Sequence, residues 1–177
     1  MTPKRARKAK AARKPARKAA PKAAALIEVM VQSPRWKKQP RAAAIVRNAV
    51  AAAAKAASIR PALAIVLTDD SRIRTLNREW RGFDKPTNVL SFPAANTRDA
   101  GSLGDVIIAF QTVAREAKEE GKPIKHHLAH LAVHGFLHLL GYDHETDRDA
   151  RKMERLEVEI LKGLGVPDPY ADQESAQ

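Results

Sequence analysis

Cysteine is absent from the 177 residues. Disulfides and thiolate metal sites are therefore excluded, and any transition metal must be held by histidine or carboxylate. No apolar run approaches the roughly 20 residues that a membrane helix needs, so no membrane association is expected. The basic opening of the chain is not followed by an apolar h-region, which argues against a secretory signal. Nothing in the chain argues for secretion, and the cytoplasm is the expected compartment. No internal repeat and no second domain are expected. What is present is a hydrophobic content of 44%, enough for one folded body with extensions.

Acidic residues are missing from one place in particular. Residues 1–22 hold ten of the 32 lysines and arginines and no acid, which leaves 22 bases against 20 acids in the remainder. The net charge of +12 thus belongs mostly to the tail, and the body is close to neutral. Residues 1–23 are mainly Ala, Lys, Arg and Pro without a periodic apolar face, and such a segment is expected to be a solvated, disordered extension. The same charge would let it hold RNA or DNA phosphates through counterion release. An organelle transit peptide is disfavoured, because the segment has no serine and is rich in lysine.

Beyond the tail the chain reads as alternating elements. Leu26–Gln32 has strand periodicity, with Ile27, Val29 and Val31 on one side, and Ser33-Pro34 breaks it. Ile45, Val46, Ala49, Val50 and Ala53 predict a helix over 40–57, with Pro40 in its first turn. Leu63–Leu67 reads as a buried strand. Asp69 or Asp70 can cap a helix over 71–80, on which Ile73, Leu76, Asn77 and Trp80 share a face and after which Gly82 is a stop. Thr87–Pro93 is a loop running into a strand, residues 94–102 a polar loop, and Leu103–Ala109 the second strand of that pair. Helices are expected over 113–120, over 123–140, and from a Thr146/Asp149 capping box to Gly163. Residues 171–177 are expected to fray. This order predicts a single α+β domain over residues 24–170, with a small mixed sheet of about four strands packed with about five helices.

The chemistry concentrates in His134-Gly135-Phe136-Leu137-His138-Leu139-Leu140-Gly141-Tyr142-Asp143-His144. His134 and His138 lie one turn apart on one helix face. Gly141 can take the left-handed conformation that ends a helix, which would carry His144 back toward them. Three imidazoles on one side of an ion leave the other side open, the arrangement of a catalytic zinc site rather than a closed structural one. The spacing resembles that of the metzincin zinc proteases, but Gly135 stands where those enzymes carry the glutamate that serves as general base. Peptide hydrolysis by that route is therefore disfavoured. Glycine inside a helix costs about 1 kcal/mol relative to alanine, which predicts close approach of another backbone or of substrate at position 135. His130 is expected to be a hydrogen-bonded packing residue, and His126 and His127 to be solvated near the helix start. Asp143 can orient an imidazole or close the turn through its own backbone.

The motif is similar to the signature of the bacterial YbeY family of rRNA maturation endoribonucleases. Two further blocks carry the likeness: Leu76-Asn77-Arg78-Glu79-Trp80-Arg81-Gly82-Phe83-Asp84-Lys85-Pro86-Thr87-Asn88-Val89-Leu90-Ser91-Phe92-Pro93, and Leu103-Gly104-Asp105-Val106-Ile107. The resemblance covers about residues 60–170 and leaves the tail outside. It implies zinc bound by His134, His138 and His144, and a role in rRNA processing, notably at the 3′ end of the small-subunit RNA, and in ribosome quality control. rRNA and the small ribosomal subunit are the implied partners. It places the family's functionally important arginine on Arg81, with Trp80 where tyrosine is common. A guanidinium offers phosphate a bidentate match that lysine does not, so Arg81 suits substrate binding or transition-state stabilisation. Asp105 follows a glycine in the third block, and a structural hydrogen bond at a strand edge is the simpler account of it.

Two nucleophiles stay open, water activated by the metal and the 2′-hydroxyl of the RNA itself. A second class of function is a ribosome-assembly factor whose zinc is mainly structural. The tail yields a test of its own. Removing residues 1–23 is expected to weaken RNA or ribosome binding and to flatten its salt dependence while metal content stays the same. Binding measured across a salt series checks this, and superimposable curves would make the arm irrelevant to affinity.

Overall fold

A computed structural model of the chain describes residues 26–95 and 101–171. The expectations for residues 1–23, for most of the loop 94–102 and for 172–177 lie wholly or partly outside the described residues.

Four strands form one mixed sheet. They are β1 (Leu26–Val31), β2 (Ala62–Thr68), β3 (Val89–Pro93) and β4 (Gly104–Ala109), in the order β1-β2-β4-β3. β1 pairs parallel to β2, β2 parallel to β4, and β3 antiparallel to β4. Among the described residues five α-helices accompany them: α1 (Ala42–Ala56), α2 (Asp70–Arg81), α3 (Phe110–Glu119), α4 (Ile124–Leu139) and α5 (Asp147–Gly163). The predicted class, strand number and helix number all hold.

The sheet is covered on both faces, and its central strands show why. In β2, Leu63, Ile65 and Leu67 join the main core with α1 and α4, while Val66 joins a smaller core with Ile73 of α2. In β4, Val106 and Ile108 face the main core, and Ile107 and Ala109 the smaller one. A strand buried on both faces reads as an unbroken apolar run, which is what Leu63–Leu67 shows. Asp105 follows the phase of Ile107 and is exposed on the face away from α4. It sits on an interior strand, not at the sheet edge.

Several boundaries differ from expectation, each for a tertiary reason. Pro40 stands ahead of α1, and a 3-10 turn over Pro34–Lys38 precedes it. That turn buries Trp36, whose indole N–H donates to the Thr68 carbonyl at 2.8 Å. α3 begins at Phe110, three residues early, straight out of β4. Its local cap, Ala109, has no capping side chain; the Asp70 carboxylate in α2 supplies one, accepting from the Thr112 backbone N–H at 3.0 Å and its hydroxyl at 2.9 Å. Trp80 does not share the inward face of Ile73 and Asn77: it is 71% exposed and meets Phe92 edge-on.

Helix α4 is the hub of the fold, packed against α1, α3, α5, β3 and β4. Gly135 is what lets it lie so close to the sheet. A Cβ at this position would stand 2.6 Å from Val106 Cγ1, 3.2 Å from Ser91 Oγ and 3.3 Å from Val89 Cγ2. The close neighbours are therefore strand side chains, rather than a backbone or a substrate. Val106 is fully buried and β-branched, so it has little freedom to retreat. Gly135→Ala is accordingly expected to lose about 1–3 kcal/mol to overpacking, against about 1 kcal/mol gained in helix propensity. Gly163→Ala, where a Cβ would meet nothing within 4 Å, is expected to be neutral or stabilising. Urea unfolding of both variants checks the contrast, and a stabilised Gly135→Ala would refute the packing argument.

Candidate metal centre

The site lies where the C-terminal half of α4 passes β3. His134 and His138 project from one face of the helix, with ring centroids 4.6 Å apart and Nε2 atoms 3.0 Å apart. Gly141 has φ 87° and reverses the chain as expected. His144 returns to lie 5.7 Å from His134 and 5.2 Å from His138, centroid to centroid. One ligand nitrogen from each of the three falls within 4.8 Å of the others, so the group could hold a metal ion. His134 and His138 are half-buried and His144 is exposed, which puts the group at the mouth of a cavity. The Asp143 carboxylate accepts from the Glu145 backbone N–H at 3.2 Å and so closes the turn.

That cavity, of about 370 Å³, is lined by Arg81, Asn88, Ser91 and Asp143 together with the three histidines. Arg81, 53 residues before His134 in the chain, is thus brought to the histidines by the end of α2. Its helical neighbours are engaged elsewhere: Arg74 and Arg78 both pair with Asp84. Among the described residues no carboxylate forms an ion pair with Arg81.

Beneath the histidines lies a residue that the motif does not contain. Glu157 of α5 is 0% exposed and accepts from His134 Nδ1 at 2.7 Å, from His130 Nε2 at 3.1 Å, and from the Tyr170 hydroxyl. Burial pushes its carboxyl up, but the hydrogen bonds and charge of His130 and His134 outweigh this and bring it down to about 2. A carboxylate only accepts, so His134 carries a proton on Nδ1, and in the neutral ring the bare nitrogen is then Nε2. His130 is the hydrogen-bonded packing residue expected. His127 is not solvated: it is 5% exposed and bonds Glu116 at 2.8 Å through Nε2. Glu157 left one trace in the sequence. It falls four after Met153 and four before Leu161, an acid on the inward stripe of an otherwise apolar face.

The donor set suits a transition metal of borderline softness, with imidazole nitrogen and no thiolate. Burial, then the nearby His134 and His144, lower the His138 pKa to about 4, which keeps the ring neutral and able to ligate near pH 7. His130, His134 and Glu157 form a second convergent group, but there the atoms already satisfy one another through hydrogen bonds.

These shifts fix a sign for acid stability. His138 titrates near 6.5 when unfolded and about 4 when folded; Glu157 moves from 4.5 to about 2. In both windows the unfolded chain binds the extra proton, so stability falls as pH drops from about 6.5 toward about 2. Urea midpoints in the presence of chelator at pH 7, 5.5 and 4.5 should decline in that order. A constant midpoint would contradict the assignment.

Comparison with known proteins covers nearly all of this architecture. The model of the family described as endoribonuclease YbeY matches residues 30–165, which include Arg81 and all three histidines of the cavity. Proteins named endoribonuclease YbeY from Bradyrhizobium diazoefficiens and from Rhodopseudomonas palustris strain BisB18 are 55% and 56% identical to the chain. The first alignment covers 84% of this chain and 86% of that protein, the second 83% and 93%. A solution structure of a Thermotoga maritima protein shares the fold with TM-score 0.54 at 23% identity, over 85% of this chain and 93% of that one. With the family model spanning most of its length and relatives above half identity, the chain belongs to the endoribonuclease YbeY family.

Proposed function

We propose that this protein is a zinc-dependent endoribonuclease that cuts single-stranded RNA in rRNA processing. Its target is the 3′ end of 16S rRNA, with a further role in ribosome quality control. It works in the cytoplasm on the small ribosomal subunit. The domain over residues 24–170 carries the chemistry, and the basic arm of residues 1–23 holds RNA phosphates. One observation carries the reading: Arg81, remote in sequence, lines one cavity with His134, His138 and His144, in a chain whose relatives are named endoribonucleases.

His134, His138 and His144 would hold the ion. Zinc in such a setting supplies Lewis acidity toward a phosphoryl oxygen and toward water. The protein's own residues do the rest. Arg81 clamps the phosphodiester with two parallel N–H donors and offsets charge on its oxygens. Asn88 and Ser91 line the wall beside it, and the Ser91 hydroxyl is spent on the Gly135 carbonyl at 2.9 Å, which ties β3 to the histidine helix. The close packing at Gly135 leaves no room for the carboxylate of a metzincin-like peptidase. The endoribonuclease name of the relatives favours the enzyme over the assembly factor with a structural zinc.

The test uses purified protein, a single-stranded rRNA fragment and casein, each with and without chelator. Cleavage is expected for RNA alone and is abolished by chelator. His138→Ala should lose both metal and cleavage while keeping its fold. Arg81→Lys should keep its metal and cut about 10- to 100-fold more slowly, because lysine is a point charge without the bidentate fork. Intact, metal-loaded protein that leaves the RNA uncut would sink the proposal, and cut casein would revive the peptidase. The chemistry of the new RNA ends identifies the nucleophile, since a cyclic phosphate marks attack by the 2′-hydroxyl.

A further inference from the structure

The buried carboxylate under the histidines has more partners than a stabilising pair requires, and their arrangement is asymmetric. Among the described residues, Oε1 of Glu157 receives His134 Nδ1–H alone, at 2.7 Å. Oε2 receives both His130 Nε2–H, at 3.1 Å, and the Tyr170 hydroxyl. Two donors on Oε2 hold the carboxylate plane, which keeps Oε1 aimed at one metal-site imidazole. Tyr170 comes from the segment beyond α5 and is itself fixed there. Its backbone N–H donates to Asp168 at 2.8 Å, and its ring meets His130 edge-on at 5.5 Å.

We propose that Glu157, braced by Tyr170 and His130, is a positioning residue for the metal centre: it fixes the tautomer and tilt of His134, so that the segment just after α5 is part of the site. A neutral imidazole has one bare nitrogen. The Glu157 bond decides that it is Nε2, the atom facing His138 at 3.0 Å. Without that bond the ring can protonate at Nε2 or turn away, and either change removes a ligand. Carboxylate partners of ligating histidines act in this way generally and change metal affinity by about 10- to 100-fold. The inference rests on the reading of His134, His138 and His144 as ligands.

Metal binding by the full-length protein tests it, with zinc affinity measured by competition against a chromophoric chelator and with the visible spectrum of the cobalt-substituted protein. Wild type is expected to bind one equivalent. Glu157→Gln keeps the volume and is expected to weaken zinc affinity about 10- to 100-fold and to alter the cobalt spectrum. Tyr170→Phe removes only the brace and should weaken affinity less than Glu157→Gln does, with the spectrum shifted in the same sense. Circular dichroism of the metal-free forms shows whether each variant is folded. If Glu157→Gln does not fold, Tyr170→Phe carries the test alone. A folded variant with wild-type affinity and spectrum overturns the proposal and leaves the three-histidine site standing. Two equivalents in wild type, one of them lost in Glu157→Gln, also overturn it, by making Glu157 a ligand of a second ion beside His130 and His134. A wild-type protein that binds no metal overturns the three-histidine reading and this inference with it, whatever the RNA assay shows.

Discussion

Helix α4 can reach the sheet only because position 135 has no side chain. The helix meets Val106, Val89 and Ser91 over that bare Cα, and the Ser91 hydroxyl bonds the Gly135 carbonyl across the gap. The distance between helix and strands is thereby set at the residue next to His134. It follows that β3, with Val89 and Ser91, forms one wall of the cavity whose other wall is the histidine face. Widening that contact would move two of the three histidines away from β3 and from Arg81 together. A glycine that costs helix stability is offset by what it brings into register.

The second constraint is electrostatic. A fully buried carboxylate is tolerable only when its lone pairs are answered, and Glu157 has donors from His130, His134 and Tyr170. These come from α4 and from the segment after α5, so the pairing also locks that segment onto the histidine helix. Stability and site geometry are here the same interaction. The cost of burying the charge recurs as control over which nitrogen of His134 faces the cavity.

The strongly periodic parts of the fold were legible in the sequence. α1 and α5 bury mainly apolar stripes, α4 is apolar nearly all round, Leu63–Leu67 reads as a strand buried on both sides, and the histidine spacing with Gly141 anticipates the cluster of rings. Illegible were the features that depend on distant partners. Asp70 caps α3 from another helix, so the start of α3 carries no local signal. Trp36 is buried because its indole finds the Thr68 carbonyl on β2. His127 looks like a surface histidine at a helix start until Glu116 of α3 is seen opposite it. Sheet order depends on pairings that pattern alone does not specify, and it moved Asp105 from an edge to an interior strand. Arg81 reached the site only through the family likeness, because an arginine at a helix end has no distinguishing local feature.

The arginines of α2 show how the fold separates one function from another on a single helix. Arg74, Arg78 and Arg81 follow one another at intervals of four and three, so they lie along one stripe. Asp84, in the turn just past the helix, pairs with the first two. These pairs are exposed and add little stability. Their effect is on charge: one carboxylate partly offsets the first two guanidiniums, neither of which lines the cavity, and leaves the last at its wall. A substrate phosphate entering there meets that cation beside three imidazoles, with Glu145 also in the lining and the carboxylate of Asp143 turned into its own loop. On the proposed reading the Arg81 cation serves an anionic diester, whereas a neutral peptide bond gains nothing from it and lacks the carboxylate that position 135 cannot accommodate. On the proposed reading, the close contact that seats the helix on the sheet also removes the general base a peptidase would need.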